Sequence, residues 1–268
     1  MSVENLPEGL FALELIIVTF TGLVFGSFAS ALIYRIPRDI PWFYHPANDG
    51  NKKAQACRSA CPHCGYTLRV RDLIPIFSWL FLRGQCRQCG ARISPMYPLA
   101  EMAVLGGFLS VYFGFGLDWP YLALYLLVPV LVALLFIDVE HYILPDGLVL
   151  SAGALAALHW GLLWSQSLVS TDDILSLYIA GALIFGFFAW ILGLIVSRVL
   201  KKDALGFGDV KFFAVAGLWL GVLKLSYFAI LSGFLGVFLG MIWRMAGKGE
   251  VFPFGPALII ALFALLFI

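Results

Sequence analysis

Two aspartates occupy positions where an acid is costly to keep. Asp138 closes an apolar run in Leu134-Leu135-Phe136-Ile137-Asp138-Val139-Glu140-His141-Tyr142-Ile143-Leu144-Pro145-Asp146, and Asp209 opens another in Gly206-Phe207-Gly208-Asp209-Val210-Lys211. Ionisable residues in membrane-spanning segments are functional candidates by default. The pair is 71 residues apart, with two complete helices between them. An out-and-back helix pair returns the chain to the face it left, so both acids belong at one end of a bundle. Gly206 and Gly208 remove side-chain bulk and permit close backbone approach just before Asp209. Two carboxylates a few Å apart share a proton over a wide pH range, because both cannot ionise cheaply. The ionised member can take a proton from water as it attacks a peptide carbonyl, while the protonated member donates to the developing oxyanion. No covalent acyl-enzyme is needed.

Plainer roles exist for each acid. Asp209 could cap a helix starting at Val210, and Asp138 could be an ordinary interfacial residue. Asp146, after Pro145 and before Gly147, reads as an N-cap. Glu101 either anchors a polar network near the start of the second span or lies at the interface. Glu140 and His141 fall in a turn, Lys211 follows Asp209 on the same helix, and Glu14 near the other surface has no evident role. No serine–histidine pairing is persuasive: His159 is far from any nucleophile, and Cys57 has only His45 and His63 near it in sequence. Gly233, Gly236 and Gly240 recur at a spacing that favours close helix contacts.

The second constellation is Cys61-Pro62-His63-Cys64 and Cys86-Arg87-Gln88-Cys89, two CxxC knuckles separated by 21 residues, each followed by a glycine, Gly65 and Gly90. Two such turns supply four thiolates to one tetrahedral Zn²⁺. Four sulfurs fill the coordination sphere, so the metal's role is structural. A redox dithiol or a different metal are the competing readings. Cys57 reads as a free thiol, and His63 as a neighbour of the site rather than a ligand.

The elements that must position these groups are transmembrane helices. Of the 268 residues, 62% are hydrophobic and 12% charged, about half the charged fraction of a soluble domain. The apolar runs are long enough to cross a bilayer, which takes ~20 residues each. The expected fold is an all-α polytopic membrane protein with about eight spans, near 10–34, 98–117, 121–138, 146–164, 174–198, 210–222, 225–244 and 252–268. The first run follows Glu4 and Glu8 rather than a basic region and is too long for a removable signal. Between the first two spans lies a polar segment, 35–97, with six Pro, five Cys and ten of the 17 Lys and Arg. Three parts follow: 1–34 as the first helix, 35–97 as a small tetracysteine module, and 98–268 as a seven-helix catalytic bundle. A module on the cytoplasmic side also brings Arg198, Lys201, Lys202, Lys211, Arg244 and Lys248 to that side and leaves Lys224 opposite. Both termini then face outward. A net charge of +1 says nothing about acidic partners, and no nucleic acid is expected.

These residues resemble the type IV prepilin leader peptidases. Gly26-Ser27-Phe28 with Arg35-Ile36-Pro37 is similar to that family's first-helix motif. Ser59 to Gly65, Asp72-Leu73-Ile74-Pro75-Ile76, Ser78-Trp79-Leu80, Arg83 to Cys89 and Tyr97-Pro98-Leu99-Ala100-Glu101 look like its cysteine-rich loop. Asp138 to Asp146 fits its first aspartate motif, and Gly206-Phe207-Gly208-Asp209 fits the GxGD motif of intramembrane aspartyl proteases. Phe252-Pro253-Phe254-Gly255-Pro256 looks like its last-helix signature. The resemblance implies that Asp138 and Asp209 are the catalytic pair and Asp146 is not. It implies zinc on Cys61, Cys64, Cys86 and Cys89, prepilin or pseudopilin substrates, and an inner-membrane location. It also implies methylation of the new pilin N-terminus with S-adenosylmethionine, whose site no motif locates; Glu101 and the stretch near Pro75 are the candidates. The rivals are a proton-coupled transporter using the paired aspartates, and a non-catalytic assembly scaffold.

Overall fold

The computed structural model describes residues 7–41, 44–45, 55–56, 59–200, 205–249 and 251–268. Glu4, Cys57, Lys201 and Lys202 lie outside these residues. Eight helices carry the fold: α1 (Glu8–Arg35), α2 (Met96–Phe115), α3 (Leu122–His141), α4 (Asp146–Ser165), α5 (Ala180–Leu200), α6 (Phe207–Leu220), α7 (Leu225–Met245) and α8 (Gly255–Leu265). Every expected apolar segment is thus helical, as it must be where no water can satisfy the backbone. Among the described residues, six helical stretches are long and apolar enough to cross a membrane. The exceptions are α6, with 14 residues, and α8, with 11, both short of the ~20 that a straight crossing takes.

The breakers act as their chemistry requires. Pro145 leads into α4, and Gly221, at φ 73°, ends α6 in a backbone conformation that suits glycine. Ser170 and Asp173 hydrogen-bond reciprocally, the Asp173 N–H donating to Ser170 Oγ at 3.1 Å, and start the helical path into α5. That path opens with a π-helical stretch, Ile174–Ile179.

Close helix approach rests on small residues, as it does where lipid supplies no hydrophobic drive between helices. On α1, a Cβ at Gly26 would sit 3.0 Å from Glu101 Cα, and one at Gly22 would sit 3.2 Å from Phe108 Cβ. Gly181 of α5 and Gly217 of α6 meet backbone to backbone. On α7, Gly236 and Gly240 face the rings of Phe254 and Phe252, which bears out the packing role expected of them; Gly233 has nothing within 4 Å. Leu127, Leu134, Ile137, Phe212 and Leu258 are fully buried at the centre, whereas Phe20, Ile230, Phe234 and Val237 point outward. That distribution suits a bundle whose outer face meets acyl chains.

Among the described residues between α1 and α2, Cys61 and Cys86 are the buried hydrophobic side chains. The segment holds a two-residue antiparallel pairing, Tyr44–His45 with Gln55–Ala56, two isolated bridges and a short helix, Phe77–Phe81.

Candidate active site

Asp138 lies in the last turn of α3, where its side chain is 5% exposed. Tyr142 ends that helix in the left-handed conformation, φ 57°, and its N–H donates to the Asp138 carbonyl at 2.9 Å. The chain then crosses through Leu144 and Pro145 into α4. The Asp138 carboxylate has a partner from the far end of the sequence: the N–H of Gly255 donates to Oδ2 at 2.8 Å. Gly255 is the first residue of α8, so this is an orphan amide at a helix N-terminus, a favourable donor to a carboxylate.

Asp209 lies in the first turn of α6, and the Gly206 N–H donates to its Oδ2 at 3.2 Å. The helix begins at Phe207, not at Val210, with Gly206 in the cap position. Asp209 is therefore the third helical residue and reaches back to the cap, instead of being the cap itself.

Leu144 connects the two acids. A Cβ at Gly208 would lie 3.2 Å from Leu144 Cβ, and one at Gly255 would lie 3.1 Å from Leu144 Cδ2. The residue before Asp209 and the amide that holds Asp138 thus pack on the same leucine. Gly255 permits the close approach of α8 to Asp138, because a Cβ there would fall 2.6 Å from Asp138 Oδ2. Gly255→Ala should push the carboxylate away and reduce activity about 10²-fold, the order of a 1 Å misplacement. Its kinetic signature is a lower kcat for an enzyme whose fold is intact by circular dichroism.

Asp146 differs from its expected role. It is the first residue of α4, with Pro145 in the cap position, and its carboxylate accepts from Lys211 Nζ at 2.7 Å. The pair joins α4 to α6 two residues beyond Asp209, but Asp146 is 65% exposed, so the bridge contributes at most ~1 kcal/mol. Sequence reasoning missed three features. Gly255 as a donor leaves no local trace beyond a Phe-Gly-Pro helix start. Leu144 looks like any leucine before a proline. Glu14 accepts from the buried Tyr112 hydroxyl at 3.1 Å, a contact between helices that spacing does not reveal. His159 is buried against Trp219 and Trp160, away from both aspartates in the fold.

The four cysteines converge as their spacing predicts. All four sulfurs lie within 4.8 Å of one another, and Cys61 Sγ is 3.9 Å from Cys89 Sγ; a ZnS₄ tetrahedron with 2.3 Å bonds has edges of ~3.8 Å. The knuckles fold alike. The Gly65 N–H donates to the Cys61 carbonyl and the Gly90 N–H to the Cys86 carbonyl, both at 2.9 Å, with φ near 70° at each glycine. The N–H groups of Cys89 and Gln88 point at the Cys86 sulfur and lower its thiol to about 7. Cys64 is raised to about 11; the Tyr66 N–H opposes the rise, and desolvation with the three neighbouring sulfurs outweighs it. Sulfurs so crowded cannot all be thiolates without a cation among them, and the donor set suits Zn²⁺.

Around the cluster, Arg87 Nε donates to Asp72 Oδ1 at 2.8 Å and the Arg69 N–H to Asp72 Oδ2 at 3.1 Å. Burial works against the Asp72 charge, yet Arg87 and the Arg69 amide overcome it and hold the carboxyl below its ordinary range. Glu101 resolves in favour of a polar anchor: it is 8% exposed and accepts from the Ile76 N–H at 2.6 Å.

The profile of the type IV leader peptidase family matches residues 125–241, and that of the bacterial peptidase A24 N-terminal domain matches residues 20–115. The chain is 36% identical over 256 residues to the type 4 prepilin-like proteins leader peptide-processing enzyme of Escherichia coli O78:H11, covering 91% of this chain and 90% of that protein. It is 36% identical over 277 aligned positions to the prepilin leader peptidase/N-methyltransferase of Aeromonas hydrophila, covering 96% and 91%. To the prepilin leader peptidase/N-methyltransferase of Pseudomonas aeruginosa it is 35% identical over 267, covering 90% and 85%. No solved structure matches the chain.

Proposed function

The chain belongs to the type IV leader peptidase family, and on that premise we propose that it is a membrane-embedded aspartic endopeptidase acting through Asp138 and Asp209. Its substrates are prepilins or pseudopilins, precursors with a short basic leader on the cytoplasmic side and an apolar stem in the bilayer. The supporting observation is the convergence on Leu144, which holds Gly208 and Gly255 against one side chain and so brings the two acids to one rim of the bundle.

The chemistry follows from a shared proton. One carboxylate accepts a proton from the attacking water, and the other donates to the oxygen of the scissile carbonyl as charge develops there. The proton then passes to the leaving amine. The Gly206 and Gly255 amides each hold one carboxylate oxygen, Oδ2 of Asp209 and Oδ2 of Asp138, leaving the other for water and substrate. Glu140, exposed at the end of α3, supplies a negative charge that attracts a basic leader.

We read the chain as three parts, 1–34, 35–97 and 98–268, with eight crossings, both termini periplasmic and the cysteine module cytoplasmic in a bacterial inner membrane. Zn²⁺ on Cys61, Cys64, Cys86 and Cys89 would hold the module together, and S-adenosylmethionine would serve the second activity named for the relatives, N-methylation of the new amino terminus. A proton-coupled transporter also uses paired acids, but the named relatives process leader peptides, which favours hydrolysis.

Incubating the purified enzyme with a leader-bearing pilin and S-adenosylmethionine in detergent tests the assignment. Mass spectrometry of the product should show the leader removed and the new N-terminus one methyl group heavier. Intact precursor after prolonged incubation with well-folded, metal-loaded enzyme would reject it.

A further inference from the structure

The C-terminal end of α7 returns to the rim that holds Asp138. Tyr142, whose N–H donates to the Asp138 carbonyl, meets Trp243 of α7 edge to face, with ring centroids 6.2 Å apart and planes at 90°. A second route joins the same two places. Gly240, one turn before Trp243, faces Phe252, and that segment leads into the Gly255 amide that donates to Asp138. We propose that Trp243 and Tyr142 form the seat for a basic side chain of the substrate's leader, and that Lys248 occupies this seat until the leader displaces it. The inference rests on the leader-peptidase reading given above and names the residues that would select the leader.

The indole face already holds an ammonium. Lys248 Nζ lies 4.3 Å from the Trp243 ring centroid, inside the ~6 Å over which an aromatic face attracts a cation. The end of α7 explains how it gets there. The Gly247 N–H donates to the Arg244 carbonyl at 3.0 Å and the Lys248 N–H to the Trp243 carbonyl at 3.3 Å, with Gly247 at φ 71°. This paired closure of a helix C-terminus turns the chain back and brings the residue after the glycine beside the last full turn. A cation–π contact at an exposed position is weak, so an ammonium or guanidinium on the substrate can replace it.

A second observation is independent of the cation. A tryptophan that merely anchors a helix at the membrane surface turns its N–H toward water or headgroups. Trp243 does not: its Nε1 is buried, and among the described residues it has no acceptor. Nε2 of His141, the residue before Tyr142, is likewise buried and without a hydrogen-bond partner among them. Buried polar atoms left unpaired are costly and uncommon. An extended leader laid across this rim brings backbone carbonyls and amides to both. Tyr142 is 45% exposed and holds φ 57°, so its ring is presented by a turn that a tyrosine seldom adopts.

The seat lies where the leader must pass. The substrate's apolar stem stays among the helices, so the leader leaves the aspartates over the rim, past the ends of α3 and α7. Glu140 draws a basic segment toward that rim from a distance. A ring face with a tethered competitor does something narrower, because it favours a cation at one spacing from the cut. Lysine and arginine both satisfy it, since the attraction is to charge over the ring.

Steady-state cleavage by the full-length enzyme in detergent tests the seat with two prepilins, one with a basic leader and one with every leader Lys and Arg replaced by Gln. The readout is the ratio of kcat/KM for the basic leader over the neutral one. Trp243→Leu should lower that ratio about two- to fivefold, the scale of an exposed cation–π contact, and Trp243→Phe should restore part of it. Lys248→Gln should raise the ratio by a similar factor, and the gain should vanish in the Trp243→Leu background. General repulsion between Lys248 and the leader would instead persist in the double variant. Melting temperature reports whether Trp243→Leu is folded. If it is not, the Lys248→Gln gain measured in roughly 1 M salt, where general repulsion is screened, decides the matter; a gain that disappears there counts against the seat. An unchanged ratio in folded Trp243→Leu, or a Lys248→Gln gain that survives in the double variant, would overturn the seat while leaving the peptidase reading intact. Both precursors left whole by the wild-type enzyme would overturn both.

Discussion

Asp138→Ala and Asp209→Ala each lower the rate of leader removal by about 10³-fold or more, the upper range for loss of a general acid or base, and the double variant is no slower than either single one. The second half of that expectation is the sharper. If the acids act as one proton-sharing unit, removing either already disables it, and groups that act as a unit are strongly non-additive. Two acids with separate duties, one binding the leader and one activating water, would give losses that multiply. Single-turnover cleavage of a detergent-solubilised prepilin by the three variants distinguishes the cases. Asn in place of Asp is a useful control, because it retains the shape and the amide contacts from Gly206 and Gly255 yet cannot exchange a proton. An Asp→Asn variant with wild-type turnover would refute the dyad.

Replacing Cys86 with serine empties the cysteine cluster and unfolds the segment around it. The region between Arg35 and Met96 offers few buried apolar side chains among those described, so its folding free energy must come from elsewhere. A structural Zn²⁺ supplies roughly 10–16 kcal/mol in isolated zinc-finger peptides, enough to account for it. Elemental analysis should fall from one metal per chain to near zero, and limited proteolysis should cut between residues 59 and 95 while the membrane helices stay intact. Cys86 and Cys61 are the buried pair. Cleavage should fall less steeply than metal content, since the aspartates sit on α3 and α6. A metal-free Cys86→Ser enzyme with wild-type proteolytic resistance would remove the structural role of the metal.

The sequence by itself determined the solvent, the elements and the donor atoms. Apolar runs separated by Pro, Gly and acidic breakers can only be helices in a bilayer, and the CxxC spacing needs no more than two tight turns, which Gly65 and Gly90 supply. Parity of helices between Asp138 and Asp209 predicted their common end, because a helix hairpin returns the chain to its starting face. Tertiary structure decided what surrounds each acid. The Gly255 amide is 117 residues from Asp138, and no periodicity encodes that meeting. Whether Asp146 caps a helix or pairs with Lys211, and whether Glu101 faces lipid or anchors Ile76, depended on helix rotation and on one-residue shifts at helix ends. Those are set by side-chain packing between helices distant in the chain, so local patterns could name the reactive groups but not the partners that hold them.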